Sequence, residues 1–189
     1  MPLQVRGRTA LLLPVLALAA VCALDAVQAA RSWPVPVVGL LDEPAHLLTA
    51  WLALAAIGCG TRAVAPWVLV GAVAVDVDHI PLYLWSGPVA HPGSRPVTHS
   101  ALTVVVLLAL AAGTRSRTRT ALAGSAAGVV LHLVRDVAGG PGIPLLWPLD
   151  GSDVRLPYGA YLAVLVLATG VAVLQAARQR RRSHMNGRR

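Results

Sequence analysis

The chain has no lysine and no phenylalanine, only two cysteines, and only eight carboxylates among its 189 residues. Arginine carries all sixteen basic positions, a compositional bias without mechanistic content. Cys22 and Cys59 both fall in apolar stretches but at different depths, Cys59 three residues from Arg62 and Cys22 fourteen from Arg8. That difference does not fit a disulfide, and no redox or cysteine-metal spacing is present. Charge is scarce as well: 13% of residues, against about 25% in an average soluble domain. An ordinary water-soluble globule is thereby excluded. Disorder is excluded too, because 56% of the residues are hydrophobic and disordered chains are poor in them.

What remains is a chain of apolar segments, 13 to 22 residues long, interrupted by Gly, Pro and Arg. Measured against the ~20 residues that a spanning helix needs, it reads as all-α, a polytopic membrane bundle of about six transmembrane helices. The segments are Thr9 to Ala30, Ala45 to Gly60, Ala63 to Leu84, Val97 to Gly113, Thr120 to Ala138 and Leu156 to Ala177. Several reach spanning length only by including polar residues at one end. Residues 1–177 are expected to form one transmembrane domain and 178–189 an Arg-rich cytoplasmic tail.

The arginines orient the bundle. Arg6, Arg8, Arg62, Arg115, Arg117, Arg119 and the cluster from Arg178 to Arg189 make twelve of the sixteen, all on one side, which places both termini in the cytoplasm. Trp33, Tyr83, Trp85, Trp147 and Tyr158 fall at the outer ends, as an aromatic belt would. The first segment also reads as a cleaved signal peptide, with Arg6 and Arg8 ahead of it and small residues near Ala26 to Ala30; Asp25, interrupting its end, argues for a retained helix. The basic tail reads as an anchor on anionic headgroups, so membrane lipids are expected partners and nucleic acid is not.

All eight acids fall on or near the outer side, with five of the six histidines. Counted from the cytoplasmic arginines at ~1.5 Å per residue, His46, Asp76, Asp78, His99, His132 and Asp136 lie ~20–26 Å up. Four helices thus place His and Asp in one layer, just inside the outer edge of a ~30 Å hydrocarbon core. Ionisable groups at that depth are costly unless paired or metal-bound. His132 and Asp136 are four apart and share a helix face; Asp76 and His79 are three apart. Imidazole and carboxylate are the usual ligands of a hydrolytic zinc, and manganese is the alternative. The candidate metal set is His46, Asp76, Asp78, His79, His99, His132 and Asp136, enough for two or more ions bridged by an aspartate.

Each element also has a plainer reading. Asp42 or Glu43 before Pro44 resembles a helix N-cap followed by Pro, and Thr98 could cap the fourth helix. A lone histidine in a bundle is more often a satisfied hydrogen-bonding residue. The coincidence of such groups from four helices at one depth favours a site. His91, Asp150 and Asp153, in outer loops, are weaker candidates.

At these residues the chain resembles the family of bacterial membrane-bound metal-dependent hydrolases, the LexA-binding inner-membrane hydrolases. The resemblance runs through Asp76-Val77-Asp78-His79, Arg95-Pro96-Val97-Thr98-His99-Ser100, His132-Leu133-Val134-Arg135-Asp136 and Gly142-Ile143-Pro144-Leu145-Leu146-Trp147-Pro148-Leu149. It implies a hydrolase distantly similar to zinc-dependent phospholipase C and P1-type nucleases. The family commonly has His-Arg-Gly before its Thr-His-Ser. Here Ser94-Arg95-Pro96 stands there, so one ligand is missing, with His91 or His46 as substitute.

The expected function is metal-assisted hydrolysis at the outer face of the bacterial cytoplasmic membrane, on a small-molecule or lipid substrate. Asp76 or Asp78 would take the proton of the attacking water. Arg95 and Arg135 would neutralise a phosphate, which favours a lipid-linked phosphoester; simple headgroup anchoring is the alternative. The catalytic candidates are therefore Asp76, Asp78 and Arg95. Two rival classes are a divalent-cation transporter, against which the off-centre depth of the site argues, and a scaffold whose metal only staples the bundle.

Overall fold

The computed structural model describes residues 9–58, 62–80 and 95–186. Among the described residues six helices follow one another: α1 (Thr9–Ala29), α2 (Val35–Ile57), α3 (Ala65–Ala74), α4 (Ala101–Ala112), α5 (Ser116–Gly139) and α6 (Tyr158–Asn186). A 3-10 turn, Val75–His79, continues α3. Among the described residues there is no strand, only an isolated antiparallel bridge between Ile143 and Val154. A helix satisfies its own backbone, which an apolar surrounding demands. Large side chains such as Leu16, Val105, Leu108 and Leu167 accordingly face outward.

Among the described residues four stretches are long and apolar enough to cross a membrane: Leu11–Ala29, Pro36–Ile57, Ser116–Gly139 and Tyr158–Arg182. With 10 and 12 residues, α3 and α4 reach only ~15 and ~18 Å, short of the ~30 Å core. The third segment, expected to run on to Leu84, leaves the α-helix at Ala74; Tyr83 and Trp85 lie outside the described residues, as do Arg6, Arg8, Cys59 and His91. The second segment was expected to begin at Ala45 and begins at Val35, so Pro44 is internal and neither Asp42 nor Glu43 is a cap. A hydropathy window rejects those acids; their partners, described below, keep them in the helix. Nor does Thr98 cap α4, whose N-cap is Ser100 without a side-chain bond. The last helix continues past Ala177 through the arginines to Asn186.

The core is built from small residues that let helices touch. A Cβ on Gly71 of α3 would lie 2.2 Å from the Ser125 carbonyl of α5, and one on Gly128 would lie 2.1 Å from the Val68 carbonyl. Gly124 meets Trp67 and Val64 in the same way. Gly124 and Gly128 are four apart, the spacing of close helix crossings in membranes. Elsewhere Val21, Leu52, Tyr161 and Leu165 bind α1, α2 and α6 together, and Ala50, Val68 and Ala72 join α2 to α3. Replacing Gly128 by Ala is therefore expected to cost ~1–3 kcal/mol through overpacking. Gly139→Ala, whose Cβ would meet nothing within 4 Å, is the control; equal thermal unfolding of the two variants in detergent would contradict the crossing.

The connection from α5 to α6 seats the start of α4. Gly142 takes φ 102°, and a Cβ there would press on Arg155 Cγ at 2.8 Å. Ile143 and Val154 then exchange backbone hydrogen bonds, and the Leu145 carbonyl accepts the Ala101 N–H at 2.9 Å. That bond fixes where His99, two residues earlier, enters the bundle. In the same connection Asp150 accepts the Ser152 N–H at 2.8 Å, which holds its carboxyl below the usual range. It is exposed and stands apart from the buried polar cluster.

Candidate metal centre

Close contact between α3 and α5 brings the Ala72 carbonyl to 2.8 Å from His132 Nδ1. A carbonyl only accepts, so Nδ1 carries the hydrogen, and a neutral ring then presents its lone pair at Nε2. Nε2 faces Asp136 Oδ2 at 3.0 Å and Asp76 Oδ1 at 3.6 Å. A lone pair aimed at two carboxylates is repulsive unless a proton or a metal cation stands between them. Orientation of a histidine by a backbone carbonyl is also how metal-ligating rings are commonly held.

The neighbours converge on the same place. His99 Nε2 lies 2.9 Å from Asp76 Oδ1 and 3.6 Å from Asp136 Oδ2. His79 Nδ1 lies 3.2 Å from Asp76 and 2.8 Å from Asp78. The His46 ring stacks on that of His132, centroids 3.7 Å apart and planes within 8°, and its Nε2 sits 3.3 Å from Asp136 Oδ1. His46, His99, His132 and Asp136 are fully buried. Yet both ring nitrogens of His46, His132 Nε2 and Asp136 Oδ2 make no hydrogen bond of proper geometry. Thr98, just ahead of α4, donates its hydroxyl to Asp78 instead of to a helix end.

All seven expected ligand residues thus meet, and they fall into two sets. Asp76, Asp78, His79 and His99 form one; His46, His132 and Asp136 form the other; within each, one ligand atom per residue lies within 4.8 Å of the rest. Asp76 and Asp136 stand between the sets, since each approaches both His99 and His132. Imidazole nitrogens and carboxylate oxygens are the donors a zinc or manganese ion takes, and buried donors without a partner are what such an ion would satisfy.

Two arginines complete the cluster. Arg95 lies 3.3 Å from Asp42, 3.1 Å from Asp136 and 3.8 Å from Asp76. Arg135, 2% exposed, lies 2.6 Å from Asp25 and 2.9 Å from Asp42 and donates to Tyr161 Oη at 3.2 Å. Glu43 lines the same groove as Asp76. Four carboxylates, those of Asp25, Asp42, Asp76 and Asp136, therefore surround two guanidinium groups. Such an excess of buried negative charge calls for protons or a further cation.

Arg135 corrects an expectation, for it is enclosed by Asp25, Asp42 and Tyr161 and does not face a phosphate at the surface. Asp42 and Asp25 were overlooked as members of the cluster. Asp42 and His46 are four apart, the same signal as His132 and Asp136, obscured by the cap-like Pro44. Asp25 left a fainter trace, as an acid inside an apolar run. Of the two stand-ins for the missing family histidine, His46 lies in the cluster; His91 is outside the described residues.

The bundle and its cluster define a helical membrane protein with buried acid-histidine groups that could hold a cation. The sequence profile of the YdjM inner membrane protein family matches residues 42–187, and the chain belongs to that family. It is a bacterial inner membrane protein. No curated protein and no solved structure matches it.

Proposed function

We propose that this chain is a membrane-embedded, metal-dependent hydrolase acting on phosphoester or lipid-linked substrates at the outer face of the inner membrane. The observation that carries this reading is the aim of His132 Nε2, fixed by the Ala72 carbonyl, at Asp136 and Asp76. The arginine distribution supports six membrane segments with both termini cytoplasmic and the cluster near the outer surface. His46, His132, Asp136, Asp76, Asp78, His79 and His99 would hold one or two divalent cations, zinc or manganese. Bound there, a divalent cation supplies Lewis acidity and makes water acidic enough to react at neutral pH.

The chain's own groups do the rest. Asp78, with 20% of its side chain exposed against 9% for Asp76, is the better placed acceptor for the proton of an attacking water. Arg95, more exposed than Arg135, is the guanidinium that would grip an anionic phosphate. Beside Glu43 and Asp76 runs a groove of about 520 Å³ whose walls include Leu40, Val73, Val77 and Ile80. An apolar groove leading to carboxylates suits a substrate with a lipid chain. The resemblance to zinc-dependent phospholipase C and P1-type nucleases points to the same reaction class.

Purified protein in detergent is expected to contain at least one equivalent of zinc or manganese. It is also expected to hydrolyse bis(p-nitrophenyl) phosphate or a phospholipid, with loss of activity on chelation. Metal without hydrolysis would leave a stapled scaffold, and metal uptake into sealed vesicles would mean a carrier. Against the carrier stand the buried, apolar Ala50, Leu52, Val68 and Ala72, packed among the same helices.

A further inference from the structure

We infer that Asp25 is a positioning residue of the metal centre, so that α1, which supplies none of the candidate ligands, helps to set the ligand geometry. Asp25 lies 17 residues ahead of the stretch matched by the family profile, 42–187. Its Oδ1 nonetheless sits 2.6 Å from Arg135, and its Oδ2 accepts the Tyr158 hydroxyl at 2.8 Å. The same Arg135 nitrogen binds Asp42 Oδ1 at 2.9 Å. Asp42 Oδ2 in turn lies 3.5 Å from His46 and 3.3 Å from Arg95. A chain of charged contacts therefore runs from α1 through Arg135 and Asp42 to a candidate ligand and to the arginine beside it.

The physical consequence follows from sharing. One guanidinium nitrogen divides its attraction between two carboxylates, and among the described residues the buried Arg135 hydrogen-bonds only Tyr161 besides. Without Asp25, Arg135 falls on Asp42 alone and draws it away from His46 and Arg95. The ring of His46, buried and stacked on His132, then loses the carboxylate that orients it. Outer partners of ligating histidines commonly act in this way. The packing of α1 keeps Asp25 in place, since Val21, four residues earlier, is fully buried against Leu52, Tyr161 and Leu165. A chain cleaved near Ala30 would lack this anchor.

The consequence for metal rests on the function proposed above, and the test separates the two. Zinc affinity of the full chain in detergent, by competition with a chelator, is expected to fall ~10–100-fold in Asp25→Ala and Asp25→Asn. Asp25→Glu should recover most of it, which a purely structural defect would not do. In metal-free protein labelled with 15N-histidine, the His46 ring resonances should move in Asp25→Asn and return in Asp25→Glu, while those of His79 stay. If the wild type takes up no zinc, the hydrolase reading fails and the histidine spectrum still decides this one. Should Asp25→Ala unfold, the near-isosteric Asn variant gives the answer. Unchanged zinc affinity together with unmoved His46 resonances, or a mature chain beginning after Asp25 by intact mass, would overturn the inference.

Discussion

Asp136→Ala is expected to empty the centre of metal and to reduce hydrolysis to background. Both of its oxygens are engaged: Oδ1 faces Arg95 at 3.1 Å and His46 at 3.3 Å, while Oδ2 faces His132 at 3.0 Å and His99 at 3.6 Å. Its removal takes the only carboxylate from the set that also holds His46 and His132. The affinity loss should exceed the ~10–100-fold typical when an outer partner of a ligand is removed. Asp136→Asn separates charge from shape: it fills the same space and keeps one oxygen, yet gives Arg95 and any bound cation no negative charge. It should therefore bind metal nearly as poorly as the Ala variant while staying closer to wild type in stability. Elemental analysis of purified protein reads the first result and thermal unfolding the second. Wild-type metal content in Asp136→Ala would remove the centre from consideration.

How much of this was legible beforehand depends on the range of each interaction. The 3.6-residue period of a helix makes local pairs visible, so His132 with Asp136 and Asp76 with His79 could be read directly. Depth along apolar segments then placed His46, His99 and Asp78 in the same layer, and the fold brings all of them together. Asp42 and His46 carried the same four-residue signal, but the neighbouring Pro44 reads as a helix start, and only the ion pairs show why the helix continues through it. The close crossing of α3 on α5 had a legible trace in Gly124 and Gly128, and its consequence, a carbonyl delivered to His132, did not. Asp25 and Arg135 are separated by 110 residues. No periodicity connects such partners, and from the sequence Arg135 reads as a contact for a substrate phosphate or a lipid headgroup, whereas two carboxylates draw it inward.

Arg135→Met is expected to destabilise the protein by ~3–5 kcal/mol, the usual cost of leaving buried charge without its partner. The variant preserves an unbranched apolar stem but removes the donors that reach Asp25 at 2.6 Å, Asp42 at 2.9 Å and Tyr161 at 3.2 Å. Two partly buried carboxylates then face each other across the former guanidinium, with Arg95 beside only one of them. Arg135→Lys should rescue only part, because an ammonium can stand in for the nitrogen shared by Asp25 and Asp42 but not also for the second nitrogen that reaches Tyr161. Adding Asp25→Asn to Arg135→Met should restore part of the loss, since the pair would then leave one fewer buried charge uncompensated. Unfolding in detergent against temperature or denaturant measures all three. The contrast with a surface role is sharp: an arginine reserved for a substrate phosphate would, on removal, raise KM and leave unfolding where it was. An unchanged unfolding curve with impaired hydrolysis would therefore return Arg135 to the substrate and dismantle the network that links α1 to the candidate ligands.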